Sequence, residues 1–100
     1  MPQPVKRFEI LVESLHVPRV VRLLDRAGVL SYAVIRDVSG KGDHGERRGD
    51  ELTDVQRTSC IIAACPLDRE TDLTTKLRPL LVEYGGSMMV SDGKWFKGGE

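Results

Sequence analysis

Residues 39–54 read Ser39-Gly40-Lys41-Gly42-Asp43-His44-Gly45-Glu46-Arg47-Arg48-Gly49-Asp50-Glu51-Leu52-Thr53-Asp54. Apart from Leu52, nothing in this stretch can anchor a core. Its glycines are interspersed with the cations Lys41, Arg47 and Arg48 and with the carboxylates of Asp43, Glu46, Asp50, Glu51 and Asp54. Both flanking segments read as β-strands. Roughly two to five residues suffice to close a hairpin, so this connection is far longer than its geometry requires. Loops of that length are functional or disordered, and the reading here is functional.

Moving outward toward the N-terminus, residues 30–38 alternate as a strand, with Tyr32 and Val34 opposite Ala33 and Ile35. Before it, Val17, Val20, Val21, Leu24 and Ala27 follow a 3.6-residue stripe, and Arg19, Arg22 and Arg26 fill the wet side. Pro18 suits a first helical position and Gly28 the position just past the helix end. Residues 5–13 set Phe8, Ile10 and Val12 against Arg7, Glu9, Leu11 and Glu13, the pattern of a half-buried first strand.

Outward toward the C-terminus, residues 55–65 form a third strand whose second half, Cys60-Ile61-Ile62-Ala63-Ala64-Cys65, is apolar on both faces. Pro66 ends it, and Asp68 is placed to cap a second helix carrying Leu73, Leu77, Leu81 and Tyr84 on one side. Pro79 falls inside that pattern and predicts a kink or a restart. Gly85-Gly86 stops the helix, residues 87–91 supply a short fourth strand, and a polar tail from Asp92 onward surrounds Trp95 and Phe96.

The order β-α-β-β-α-β over residues 1–100 predicts one domain of the α+β class, the ferredoxin-like antiparallel sheet with both helices on one face. Two helices cover only that face. Leu11 and the doubly apolar third strand predict that other copies of the chain cover the other, making a homo-oligomer.

Composition narrows the function classes. Lys plus Arg number 15 and Asp plus Glu number 15, so the formal charge is +0. That balance argues against nucleic acid, whose partners carry a basic excess, and leaves little repulsion between copies. Cys60 and Cys65 stand on opposite faces of a strand and cannot bridge each other there, so both read as reduced core residues of a cytoplasmic protein. The opening Met-Pro-Gln-Pro-Val-Lys-Arg has no apolar h-region, and no run approaches the roughly 20 residues of a membrane span.

Chemistry-bearing motifs are few. Ser39-Gly40-Lys41-Gly42 leaves a strand with the backbone freedom and the charge that an anion favours, without Walker A spacing. Arg47-Arg48 can clamp phosphate or carboxylate. Asp43, His44 and Glu46 are metal-ligand types with one histidine and no preset geometry, so no metal is expected. Arg48-Gly49-Asp50 spells a cell-adhesion tripeptide and reads as chance. With only His16 and His44, and no cysteine beside a base, no catalytic residue is expected.

These residues carry a family likeness. The strand order, the chain length and the base Val38-Ser39-Gly40-Lys41-Gly42 resemble the PII signalling superfamily, most of all its carboxysome-associated and bicarbonate-transporter-regulator branch. Tyr84-Gly85-Gly86-Ser87-Met88-Met89-Val90-Ser91 is similar to that branch's segment after the second helix. The resemblance implies a homotrimer that is not an enzyme and binds an adenine nucleotide (AMP, ADP or ATP) in each cleft between subunits. It implies that the base of this T-loop meets phosphate, that Arg47 or Arg48 closes over it, and that Gly86 and Ser87 border the adenine. It further implies bicarbonate near the nucleotide, for which Lys41, Arg47 and the loop amides are the candidates. The partner would be a bicarbonate transporter or a carboxysome component. The loop lacks the tyrosine of classical PII proteins, the glycine-rich B-loop has no counterpart before the last strand, and the paired-cysteine ending is absent. Asp92-Gly93-Lys94 matches part of a B-loop but is expected after that strand. The rival reading is a ferredoxin-like regulatory module for another small molecule or a metal, which needs no long charged loop here. An acylphosphatase-type enzyme would need an arginine cradle in the first loop, where this chain has Glu13-Ser14-Leu15-His16.

Overall fold

The computed structural model describes residues 2–39, 41–42, 45–46 and 57–99. In chain order these form strand β1 (Gln3–Glu13), helix α1 (Val17–Ala27), strand β2 (Ser31–Val38), short strands β3 (Lys41–Gly42) and β4 (Gly45–Glu46), strand β5 (Thr58–Pro66), helix α2 (Glu70–Tyr84) and strand β6 (Ser87–Trp95). The main sheet runs β2-β5-β1-β6 with every neighbouring pair antiparallel. The ferredoxin-like α+β arrangement with helices on one face is borne out.

Strand parity builds the core. β1 pairs β5 through Phe8↔Ala63, Ile10↔Ile61 and Val12↔Ser59, so these side chains share one face. Above them lie Val17, Val20, Leu24 and Ala27 of α1 and Leu73, Leu77 and Leu81 of α2, all in one contiguous buried cluster. Phe8, Ile10, Leu24, Ile61, Leu73 and Leu77 are fully sequestered, each contributing about 1.5–3 kcal/mol of transfer free energy.

The opposite parity leaves the second face bare. Leu11↔Cys60, Glu9↔Ile62, Ala33↔Ile62, Ile35↔Cys60 and Glu9↔Met89 lie there, with Ile35 at 46% and Met89 at 66% exposure. Arg7 and Glu9 pair with each other on this face.

Four sequence expectations need correction. The last strand does not stop at 91: β6 continues through Asp92, Gly93 and Lys94 to Trp95 because β1 extends back to Gln3 and offers it a ladder partner at every step. Lys6 rewards that extension by pairing with Asp92, and it also lies 3.9 Å from Glu70 at the start of α2. Asp68 does not cap α2. Residues Leu67–Arg69 form a 3-10 turn and the helix begins at Glu70 with no side-chain cap bond. Pro79 neither kinks nor restarts α2, which runs unbroken to Tyr84. Both Pro79 and Thr75, whose carbonyl the missing N–H would have served, are exposed, so water can satisfy that group. Finally, α1 begins at Val17, which puts Pro18 second in the first turn.

Gly86 follows α2 at a point of close approach. A Cβ there would stand 2.5 Å from the Leu11 carbonyl oxygen, 2.8 Å from Leu81 and 2.9 Å from Val12. Gly86→Ala is therefore expected to lower stability by about 1–3 kcal/mol through overpacking, read as a fall in thermal midpoint. An unchanged midpoint would show that the α2–β6 junction yields freely.

Candidate functional site

The long loop leaves and re-enters the sheet at one end, between the last residue of β2 and the first of β5, where Val38 pairs with Thr58. Register is not continuous up to that pair. From Ile35↔Cys60 to Val38↔Thr58, β2 advances by one more residue than β5, which is a β-bulge. Asp37 sits in the bulge at φ 60°, the left-handed region. Aspartate is among the few non-glycine residues that visit this region readily. Across the neck, Arg57 Nη1 donates to Asp37 Oδ1 at 3.3 Å.

The neck is stitched to β1 as well. The Ser14 N–H donates to the Arg57 carbonyl at 2.6 Å, and the Ser14 and Ser59 hydroxyls are 2.6 Å apart. Ser59 is fully buried, so this bond supplies a partner that its hydroxyl requires. The turn after β1 carries His16, whose ring stacks on Tyr84 at a centroid distance of 3.7 Å and an interplanar angle of 22°. Arg19 lies 5.5 Å from the Tyr84 ring centre. Tyr84 was expected on the core stripe of α2. It is only half-buried and serves this surface stack instead.

The sequence-derived candidates fall as follows. Val38 is the last residue of β2 and half-buried; Ser39 follows it, exposed. Lys41 and Gly42 form β3, paired as Lys41↔Glu46 and Gly42↔Gly45 with β4, a hairpin the sequence reading did not anticipate. Gly40, Arg47 and Arg48 lie outside the described residues, as do Asp43 and His44. Gly86 and Ser87 are brought to the same end of the sheet, since Ser87 pairs with Leu11 near the end of β1. Gly86 owes its identity to packing, as shown above. Sequence reasoning missed Asp37, Arg57 and the His16–Tyr84–Arg19 group. The third strand was read as starting at residue 55, which hid Arg57 inside a strand, and a bulge leaves no periodic trace.

Chemically, this end offers an arginine at the neck and loop backbone, a setting for anion recognition. Among the described residues no group of three His, Cys, Asp or Glu side chains could hold a metal ion, and no described helix is long and apolar enough to cross a membrane. Burial raises the Cys65 thiol above its ordinary range, with Glu70 and Asp68 adding to the rise and Arg69 opposing it. Cys60, expected in the core, instead lies half-buried on the open face because strand parity sets it opposite Leu11 and Ile35; its thiol is also raised, first by burial and then by Glu9, with Arg7 opposing.

The family model described as nitrogen regulatory protein P-II matches residues 5–97. Among solved structures, CPII from Thiomonas intermedia, a nitrogen regulatory PII-like protein bound to ADP, AMP and bicarbonate, is 32% identical at a TM-score of 0.83, covering 97% of this chain and 92% of that one. A second structure of CPII, bound to ADP and bicarbonate, is 34% identical at a TM-score of 0.81, covering 97% and 93%. A putative PII-like signalling protein from Thermus thermophilus shares the fold at 20% identity and a TM-score of 0.77, covering 97% and 94%. Among curated proteins no match was found.

The serine pair gives a direct check on the neck. Ser14→Ala should leave the Ser59 hydroxyl buried without a partner and cost about 1–3 kcal/mol, seen as a lower urea midpoint. The double change Ser14→Ala with Ser59→Ala should recover much of the loss, because no orphan group then remains.

Proposed function

We propose, for a chain that belongs to the nitrogen regulatory protein P-II family, that it is a non-enzymatic, cytoplasmic sensor of adenine nucleotides and bicarbonate. It acts as a single domain assembled into a homotrimer. The observation that carries this reading is the match in both sequence and fold to CPII, whose structures hold ADP, AMP and bicarbonate. The bare apolar face of Leu11, Ile35, Cys60, Ile62 and Met89 supports assembly, since a face of that kind is stabilised by burial against another copy.

In this reading the nucleotide lies in the cleft between neighbours. Ser39, Gly40, Lys41 and Gly42 receive its phosphates, with Val38 fixing the base of the loop, and Gly86 and Ser87 border the adenine. Arg47 or Arg48 closes over the anion, and Lys41, Arg47 and loop amides take bicarbonate beside it. Ligand that binds one arrangement of the loop better than others shifts the loop toward it, and a protein target reads the difference. The target belongs to inorganic-carbon metabolism: a bicarbonate transporter or a carboxysome component.

Titration calorimetry of the pure protein with AMP, ADP, ATP and bicarbonate tests the sensor. Heat of binding is expected with at least one nucleotide, and its absence with all four overturns the reading. Lys41→Ala should weaken phosphate-bearing ligands about tenfold or more through loss of a charge-assisted hydrogen bond, while its elution volume stays that of the trimer.

The thiol of Cys60 reports on assembly and on pH. Its raised pKa means that less thiolate is present at neutral pH than for an ordinary cysteine. Alkylation should therefore be slow near pH 7 and keep accelerating above the usual thiol range. Dilution that dissociates the trimer should speed labelling. Equal rates in assembled and dissociated protein would show that this face is not the interface.

A further inference from the structure

The neck of the loop holds a cation, Arg57, that lies outside the ligand set proposed above. Arg57 is anchored by its backbone, since its carbonyl accepts the Ser14 N–H at 2.6 Å. Arg57 and Ser39, the first residue of the glycine-rich base, directly flank the closing pair Val38↔Thr58. The guanidinium nevertheless does not face solvent alone. Asp37, left-handed in the bulge of β2, meets it, and the two side chains stand at 3.3 Å.

The ion pair by itself is a poor explanation for the bulge. Arg57 is 62% and Asp37 59% exposed, and pairs this open to water contribute little to stability. The bulge and the left-handed residue therefore need a reason beyond that bond. They make sense as a device that parks a cation reversibly, and bulges of this kind commonly re-aim side chains beside functional sites. We infer that Arg57 is an anion-binding residue of the nucleotide and bicarbonate site, held in reserve by Asp37, whose carboxylate an incoming oxyanion displaces. The inference rests on the sensor reading above. The ligand chemistry is a planar or tetrahedral oxyanion, which a guanidinium fork grips with two hydrogen bonds. A nucleotide phosphate and bicarbonate both satisfy it.

The competition fixes the direction of each effect. Asp37→Asn removes the rival charge while keeping the shape, and asparagine tolerates the left-handed backbone as well as aspartate does. The pair's weak hold implies that this variant binds about two- to fivefold tighter. Arg57→Gln should bind roughly tenfold weaker or worse. In the Arg57→Gln background, adding Asp37→Asn should change nothing, because Asp37 acts only through Arg57. Both side chains are exposed and the Arg57 carbonyl is untouched, so folding and assembly should survive, checked by circular dichroism and elution volume.

Calorimetry at matched ionic strength is run in three arms: ADP alone, sodium bicarbonate alone, and bicarbonate added to ADP-saturated protein. Tightening by Asp37→Asn in the ADP arm identifies the phosphate as the displacing anion. Tightening only where bicarbonate is the titrant identifies bicarbonate. If the unaltered protein binds ADP but all three variants match it, the inference fails and the sensor reading stands. If Asp37→Asn still tightens binding when Arg57 is glutamine, the carboxylate acts through space and the inference fails again. An unaltered protein that binds neither ADP nor bicarbonate overturns both.

Discussion

Everything in this molecule depends on the antiparallel pairing of β1 with β5. The pairing runs unbroken from Val5↔Pro66 to Glu13↔Thr58, and side chains alternate across it with a period of two. One parity delivers Phe8, Ile10, Ile61, Ala63 and Cys65 to the helices. The other delivers Arg7, Glu9, Leu11, Cys60 and Ile62 to the open side. A slip of one residue would exchange the two sets and leave α1 and α2 facing charges. The same pairing sets where β5 begins, and so where the long loop must return.

The ladder explains why so much of the fold was legible. Phe8, Ile10 and Val12 alternate cleanly against Arg7 and Glu9, and Val17, Val20, Leu24 and Ala27 repeat at helical spacing, so period and element type could be read directly. The all-apolar run of Cys60 to Cys65 matches its place inside the sheet, with β2 on one side and β1 on the other. What failed to show was whatever depended on a partner remote in sequence. Asp92-Gly93-Lys94 has the composition of a tail, yet Lys6 and the free edge of β1 hold it in a strand. Pro79 reads as a breaker, yet it sits on the wet side of α2 where a lost backbone bond costs little.

The candidate site rested on other signals. Glycines and cations in an overlong connection pointed to the loop base, and the family likeness then supplied a ligand class. Arg57 and Asp37 were invisible because their meeting depends on a register shift, and no single-residue property encodes one. The His16–Tyr84 stack was hidden for a similar reason: two aromatic rings from distant segments meet only because the turn after β1 and the end of α2 share one end of the sheet.

The Val38↔Thr58 pair has one more consequence. It closes the two ends of the excursion into a gate of fixed width, and the chain beyond it is tethered at both feet. Closing a flexible loop costs only about 0.6 kcal/mol more for each doubling of its length. Evolution can therefore lengthen, shorten or rewrite that excursion with little penalty to the sheet beneath. The neck thus acts as a socket: it fixes where both feet of the excursion stand, whatever the length of chain between them.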